Sequence, residues 1–234
     1  MNNSTKLIVV TGCTKGIGFA ICKQFADNGF SIAGYARNQK DINEMQSSFE
    51  QRYPQQQFLF VSADASKKSD VLEFAKKVNA QFLSVDVLVN NAGVFLPGSI
   101  LTEEEGTLET LMETNVYSAY YITRALQPIL KRNVFNICSI ASLQAYPAGA
   151  SYTISKFALL GFSKQLRHEF MHSNIKVTSV MPGAVLTNTW SGVDLPPTRF
   201  IQPEDIAKMM YTIYDLGDGA DLEELVIRPQ LGDI

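Results

Sequence analysis

Three side chains in the second half of this 234-residue chain have the types needed to carry a proton to a carbonyl oxygen. Tyr152 and Lys156 stand four residues apart, so on a helix they share one face. A free phenol holds its proton until about pH 10. A fixed ammonium beside a phenol favours the phenolate and brings proton exchange toward the neutral range. Ser139, just after the apolar run Val134–Cys138, is placed to hydrogen-bond the same carbonyl oxygen. Asn115, upstream on a long helical segment, is read as the anchor of a water chain from Lys156 to solvent. Hydride addition to a carbonyl builds an alkoxide that must receive a proton, and this set can supply it. A Tyr-x-x-x-Lys pair alone arises readily by chance, so the reading depends on what positions it.

A second constellation lies near the start. Thr11-Gly12-Cys13-Thr14-Lys15-Gly16-Ile17-Gly18 follows one apolar run and opens a segment of helical period. Glycine permits positive φ and close backbone approach, and a helix N-terminus offers N–H groups and a dipole suited to a pyrophosphate. The spacing is G-x-x-x-G-x-G rather than G-x-G-x-x-G; a glycine-rich turn without a ligand is the plain alternative. The second predicted strand ends Gly34-Tyr35-Ala36-Arg37-Asn38, with no carboxylate where NAD-binding chains place one for the ribose hydroxyl. Lys15 and Arg37 are two cations with no anion beside them. Arg37 can also stack on adenine. The expected cofactor is NADP(H).

The elements that must hold these groups alternate. Strands are predicted at Leu7–Thr11, Phe30–Ala36, Phe58–Val61, Val85–Val89, Val134–Cys138, Ile175–Met181 and Leu222–Ile227. Helices are predicted at Gly16–Asn28, Asp41–Tyr53, Ser66–Phe82, Thr102–Lys131, Tyr152–His172 and Pro203–Leu216. The strands are nearly all apolar, as strands buried on both faces should be. No repeat, low-complexity tract or flexible linker interrupts the pattern, so residues 1–234 read as one doubly wound α/β domain. Ligands of such sheets sit beyond the carboxyl ends of the strands, where the chemistry-bearing residues fall. The composition, 46% hydrophobic and 18% charged, suits a buried core. A net charge of −3 lacks the basic footprint of a nucleic-acid binder. No run is long enough to span a bilayer, and the opening residues lack a signal-peptide pattern. Three cysteines without metal spacing suit reduced thiols, and a cytoplasmic protein is expected.

Taken together, these motifs resemble the short-chain dehydrogenase/reductase family over nearly the whole chain. The matching elements are the Thr11–Gly18 loop, Asp64 after the third strand, Asn90-Asn91-Ala92-Gly93 after the fourth, Asn115, Ser139, Tyr152 with Lys156, and Pro182-Gly183 with Thr187 beyond the sixth. The resemblance implies a Rossmann-type parallel sheet ordered 3-2-1-4-5-6-7 and a nicotinamide cofactor. It implies cofactor contacts at Gly12, Thr14, Lys15, Gly16, Ile17, Gly18, Arg37, Asn91, Ala92 and Gly93. Asp64 would touch adenine, Asn90 would lie beside the adenosine ribose, and Tyr152 and Lys156 would also meet the cofactor. Pro182, Gly183, Val185 and Thr187 would hold the nicotinamide end. The implied activity is NADPH-dependent reduction of a ketone or aldehyde, a 3-ketoacyl or pterin-like carbonyl among them, or the reverse oxidation of an alcohol. A catalytically silent dinucleotide-binding module is the alternative, which the intact tetrad opposes. Two departures bear on the substrate: Gly183–Gln202 is short for a lid, and Val226–Ile234 lacks a double glycine after the last strand.

Other residues have plainer roles open to them. His168-Glu169-Phe170-Met171-His172 matches the H-E-x-x-H zinc pattern of metallohydrolases. At 100° per residue both histidines fall roughly 200–240° from the seam of Leu159, Phe162, Leu166 and Phe170, on a polar face; no bound metal is expected. Cys13, beside a helix N-terminus, has either a lowered pKa or a space-filling role. Gln144, Tyr146 and Trp190, with Ser139, are read as bordering the substrate pocket; Met181 is read as pocket or core. Leu108, Leu111, Met112, Val116, Tyr117, Tyr120 and Tyr121 give the long helix apolar residues on more than one face. A homodimer or homotetramer paired through it and the Tyr152 helix is expected, with a small-molecule substrate and no nucleic-acid or membrane partner.

Overall fold

The computed structural model describes residues 6–190 and 192–234. Residues 1–5, read above for targeting signals, and Ser191 lie outside the described residues. Seven strands form one sheet: β1 (Leu7–Thr11), β2 (Ser31–Ala36), β3 (Phe58–Ser62), β4 (Val85–Asn90), β5 (Leu130–Ile137), β6 (Lys176–Pro182) and β7 (Glu224–Ile227). Every pairing is parallel and the spatial order is β3-β2-β1-β4-β5-β6-β7, as the resemblance implies. The helices are α1 (Gly16–Asp27), α2 (Gln39–Arg52), α3 (Lys68–Gln81), α4 (Thr107–Met112), α5 (Ser118–Leu126), α6 (Ala150–Phe170) and α7 (Pro203–Tyr214).

Alternation along each strand divides the core in two. Ile8 and Val10 face the side covered by α1, α2 and α7, packing with Phe25, Phe49 and Met210. Leu7 and Val9 face the side covered by α3, α5 and α6, packing with Phe74, Ile122 and Leu166. The chain winds outward from β1 to β3, then crosses to β4 on the opposite flank of β1. The crevice between the carboxyl ends of β1 and β4 is therefore the switch point where such sheets bind ligands.

The expected helix Thr102–Lys131 is not continuous. It begins at Thr107 behind Gly106, whose φ of 87° is left-handed, and passes through a π-helical turn at Glu113–Tyr117 before α5. Pro128 closes it in a 3₁₀ turn, because proline cannot donate to a continuing helix. Lys131 lies in β5, which starts four residues earlier than Val134. The other elements fall within about two residues of their expected bounds.

Close packing at the switch point depends on a glycine. A Cβ placed on Gly18 would stand 2.1 Å from the Gly12 carbonyl oxygen and 2.6 Å from Asn91 Nδ2. The backbone oxygen cannot yield without moving the loop. Gly18→Ala is therefore expected to cost more than ~2 kcal/mol, lowering the melting midpoint by at least ~4 °C. Thermal and urea unfolding with unchanged midpoints would show that α1 has slack against the loop.

Candidate active site

The first βα turn carries a ligand cradle. Gly12 and Gly16 have φ of 68° and 53°, backbone shapes costly for residues with a Cβ. Lys15 is the N-cap of α1 but its side chain caps nothing, which leaves first-turn N–H groups available to an anion. The loop is tied across the switch point to the end of β4. Thr11 Oγ1 accepts from the N–H groups of Asn91 (2.9 Å) and Ala92 (2.8 Å). Asn91 Nδ2 donates to the carbonyls of Thr11 (2.8 Å) and Gly12 (3.0 Å). Gly18 packs inside this arrangement and does not line the cleft, so its part is packing rather than the ligand contact expected.

Above the loop lies a cleft of about 520 Å³, continuous with a second hollow of about 300 Å³ through shared walls at Gly12, Lys15, Arg37 and Ala92. Both volumes are in the range of small-molecule sites. Thr14, Asp64, Ala36, Ala63 and Thr114 line the smaller hollow. Gly16, Ile17, Asn91, Pro182, Gly183, Val185 and Thr187 line the larger one. A Cβ on Gly16 would meet Thr187 Cγ2 at 2.9 Å, so the loop after β6 closes over the glycine turn.

The expected pair of cations is not alone. Asp41, in the first turn of α2, places Oδ2 2.6 Å from Lys15 Nζ and shares the smaller hollow with Arg37. The strand-end reading found no carboxylate because Asp41 lies beyond it; Asn38 caps α2 through the N–H groups of Lys40 and Asp41 and turns Asp41 toward the loop. Asn90 is also corrected. Its side chain is buried, with Nδ2 donating to Thr123 Oγ1 (3.1 Å) and Asn136 Oδ1 (2.8 Å), and it is not part of the cleft lining.

The catalytic candidates converge on the larger cleft, where Ser139, Tyr152 and Lys156 are all part of the lining. Lys156 is buried; its Nζ donates to the Ile137 carbonyl (2.8 Å) and stands 5.6 Å from the Tyr152 ring centre. Phe95 meets the Tyr152 ring edge-on at 5.0 Å. Ser139, two residues beyond β5, caps a short 3₁₀ turn by accepting from the Ala141 N–H (3.1 Å). Asn115 lies in the π turn. It accepts from Val94 N–H (2.8 Å) and donates to the Val94 carbonyl (3.1 Å) and Ser155 Oγ (3.0 Å), tying the β4–α4 loop to α6. Asn115 Oδ1 and Lys156 Nζ both flank Gly93, at 3.2 and 3.6 Å from where its Cβ would stand.

Two polar chains hold α6 against the sheet. Asn136 Nδ2 donates to Ser163 Oγ (2.9 Å), which accepts from Ser179 Oγ (2.7 Å). Ser142 Oγ donates to the Lys156 carbonyl (2.9 Å). Glu103, from the β4–α4 loop, accepts from Ser151 Oγ beside Tyr152.

Tyr146 and Trp190 line the cleft, together with Phe95, Ile140, Asn188 and Thr189. Gln144 is exposed and outside the lining, because the chain turns away before Tyr146. Met181 is fully buried in a core cluster with Val116 and Leu159. Asp233 and Ile234, from the segment after β7, also line the cleft. Their approach depends on how that segment folds back, and no local motif announced it. Cys13 is fully buried against Gly34, and burial pushes its thiol up to about 12, so the helix terminus does not activate it. Burial likewise pushes Cys138 up to about 11.

The histidine pair falls apart as a motif. α6 ends at Phe170, so His172 lies beyond the helix that carries His168, and both side chains are exposed. Among the described residues no three His, Cys, Asp or Glu groups are arranged to hold a metal ion, and no helix is long and apolar enough to cross a membrane.

Known proteins resemble the chain in sequence and in fold. The sepiapterin reductase of Chlorobaculum tepidum is 31% identical, with 97% of this chain and 98% of that protein aligned. The 3alpha-hydroxysteroid dehydrogenase of Mediterraneibacter gnavus is 29% identical over 86% of each. The crystal structure of L-sorbose reductase from Gluconobacter frateurii, complexed with NADPH and L-sorbose, superposes with a TM-score of 0.89 at 26% identity, covering 97% of this chain and 96% of that one. Residues 6–195 match the family model for the short chain dehydrogenases, and the chain is a member of that family of oxidoreductases.

Proposed function

We propose that this protein is an NADPH-dependent carbonyl reductase, able to run in reverse as an alcohol dehydrogenase. The observation that carries the reading is the convergence of Ser139, Tyr152 and Lys156 on one cleft continuous with the glycine cradle. The cradle fits a dinucleotide: positive-φ glycines, an uncapped α1 terminus, and Lys15 and Arg37 at the far end. Pro182, Gly183, Val185 and Thr187 would hold the nicotinamide end, and Asp64 the adenine end. The nicotinamide, when bound, supplies the hydride; the chain handles the proton. Ser139 Oγ orients the carbonyl oxygen. Tyr152 gives that oxygen its proton, and the Lys156 ammonium stabilises the phenolate left behind. Asn115 keeps α6 and the Val94 loop in register beneath them. The NADPH complex of the sorbose reductase supports the cofactor assignment, and the pterin, steroid and sugar substrates in the names of the relatives support a small carbonyl compound. Three buried free cysteines suit a reducing, cytoplasmic setting.

Tyr152→Phe removes only the proton donor. It is expected to abolish turnover while NADPH still binds, whereas Lys156→Ala damages both. Steady-state rates and NADPH fluorescence titration test this; more than about a tenth of wild-type turnover in Tyr152→Phe would mean another group protonates the alkoxide.

Asp41 adds a second expectation. Lys15 holds Asp41 until a 2′-phosphate takes that place, so the carboxylate opposes NADPH at its own cation. Arg37→Ala is expected to weaken NADPH about tenfold to a hundredfold, with little effect on NADH. Asp41→Asn is expected to strengthen NADPH about threefold or more, an effect that shrinks with salt. Values of kcat/KM for both cofactors at two ionic strengths decide it. Equal effects of either substitution on NADPH and NADH would remove these residues from the phosphate site.

The protein is further read as a homodimer or homotetramer. Leu108, Tyr117 and Tyr120 are exposed on the α4–α5 side, and Ile154 and Phe157 on α6, a shared apolar face. Leu111 and Val116 belong to the core instead. Sedimentation at micromolar concentration is expected to give a multiple of 25.9 kDa; monomer alone would exclude the pairing.

A further inference from the structure

The segment after β7 is fastened into the cleft at several points. Gly183 N–H donates to the Ile227 carbonyl (2.8 Å), and the chain then turns back at Pro229, whose carbonyl accepts from Gly232 N–H (3.0 Å). Arg199 Nη1 reaches the Gly232 carbonyl at 3.4 Å. Tyr146 donates its hydroxyl to the Ile234 carbonyl at 3.3 Å. Arg228 pairs with Asp233 Oδ2.

This folding brings a carboxylate to the substrate end. Asp233 is the one acidic residue among the described residues lining the larger cleft; the cations there are Lys15 and Arg37 at the opposite end and Lys156 beside Tyr152. Oδ2 is engaged by Arg228, but Oδ1 has no hydrogen-bond partner among the described residues and stands 3.2 Å from where a Cβ on Gly183 would be. Gly183 lies on the wall assigned to the nicotinamide end. The carboxylate is therefore close to where a carbonyl must react. It is felt by its neighbours: the Tyr146 phenol is raised by burial first, then by Tyr152 and by Asp233.

We infer that Asp233 is a substrate-selecting residue, admitting carbonyl compounds that are neutral or carry a hydrogen-bond donor and turning away those with a carboxylate or phosphate near the reacting carbon. A carboxylate accepts from a hydroxyl or amide through its open oxygen and repels a second anion. The guanidinium of Arg228 is not part of the lining, so it screens Asp233 from behind without offering an incoming anion a partner. The inference rests on the reading that this cleft receives the carbonyl substrate.

Trp190 is the only tryptophan of the chain and lines the cleft, so its fluorescence reports occupancy. With saturating NADP⁺, titration with benzamide and with benzoate compares a neutral donor with an anion of the same shape. The wild type is expected to bind benzamide at least about tenfold more tightly. Asp233→Asn should narrow the difference to about threefold or less, by strengthening benzoate. Arg228→Gln, which uncovers the carboxylate, should widen it. The opposite directions separate charge from packing, since both substitutions remove the same ion pair. Equal affinities in the wild type, no response to either ligand, or both variants shifting the two ligands alike would overturn the assignment. NADPH oxidation with 4-methylbenzaldehyde and 4-carboxybenzaldehyde is a separate arm. Turnover of neither, alongside the binding difference, would sink the reductase reading and leave the selectivity of Asp233 standing.

Discussion

The clamp between Thr11 and Asn91 is the constraint on which the rest of the site depends. Where β1 and β4 diverge, the sheet stops satisfying their backbone groups, and unpaired buried groups are costly. Thr11 Oγ1 takes two N–H groups from the β4 end, and Asn91 Nδ2 gives to two carbonyls of the β1 end. The crevice that opens between the strands is thus lined by backbone already paired on its inner side. The glycine turn is free to present its outer side to a ligand. Gly18 lets α1 close on the same point, so loop, helix and strand share one small contact zone.

From that fixed edge the candidate catalytic groups are held by a second layer. Asn90, Asn136, Ser163 and Ser179 form a buried polar chain running from β4 through β5 to α6 and β6. Such a network favours one seating of α6, since its internal bonds form only there, and it leaves the buried Asn90 Oδ1 without a partner. Lys156 hangs from that helix with its ammonium tied to the last carbonyl of β5, and Tyr152 precedes it by one turn. The geometry of the phenol is set by hydrogen bonds beneath it.

The elements legible from the sequence were those governed by local rules. Glycines after β1, the strand alternation, and Tyr152 with Lys156 declare themselves within a few residues, and the sheet order followed from the family resemblance. The site residues that escaped depend on distant chain. Asp41 reaches Lys15 because Asn38 starts α2 one turn away; Asp233 enters the cleft only after β7 has docked beside β6. Gln144 stays outside because the backbone bends between it and Tyr146, a matter of loop path rather than residue type. Asn90 looks like its neighbour Asn91, yet successive strand residues face opposite ways, which sent one side chain into the core and the other to the crevice. A helical period read across Thr102–Lys131 could not detect that the period itself changes at Glu113.

That change of period has a consequence for how the segment tolerates alteration. A π turn is a stretch of helix holding one residue beyond what α geometry needs. Deleting any one residue between Glu113 and Tyr117 would leave a more regular helix, with better-aligned hydrogen bonds. Because the wide turn absorbs that residue, the deletion would leave α5 in nearly the same phase relative to α4. Ile122 and Leu126 would keep their seat on the sheet, but Asn115, held in the turn itself, would lose its reach to Val94 and Ser155. The exposed positions Glu113 and Tyr117 can accept another side chain with little disturbance to either partner. In this stretch the number of residues carries more information than their identity.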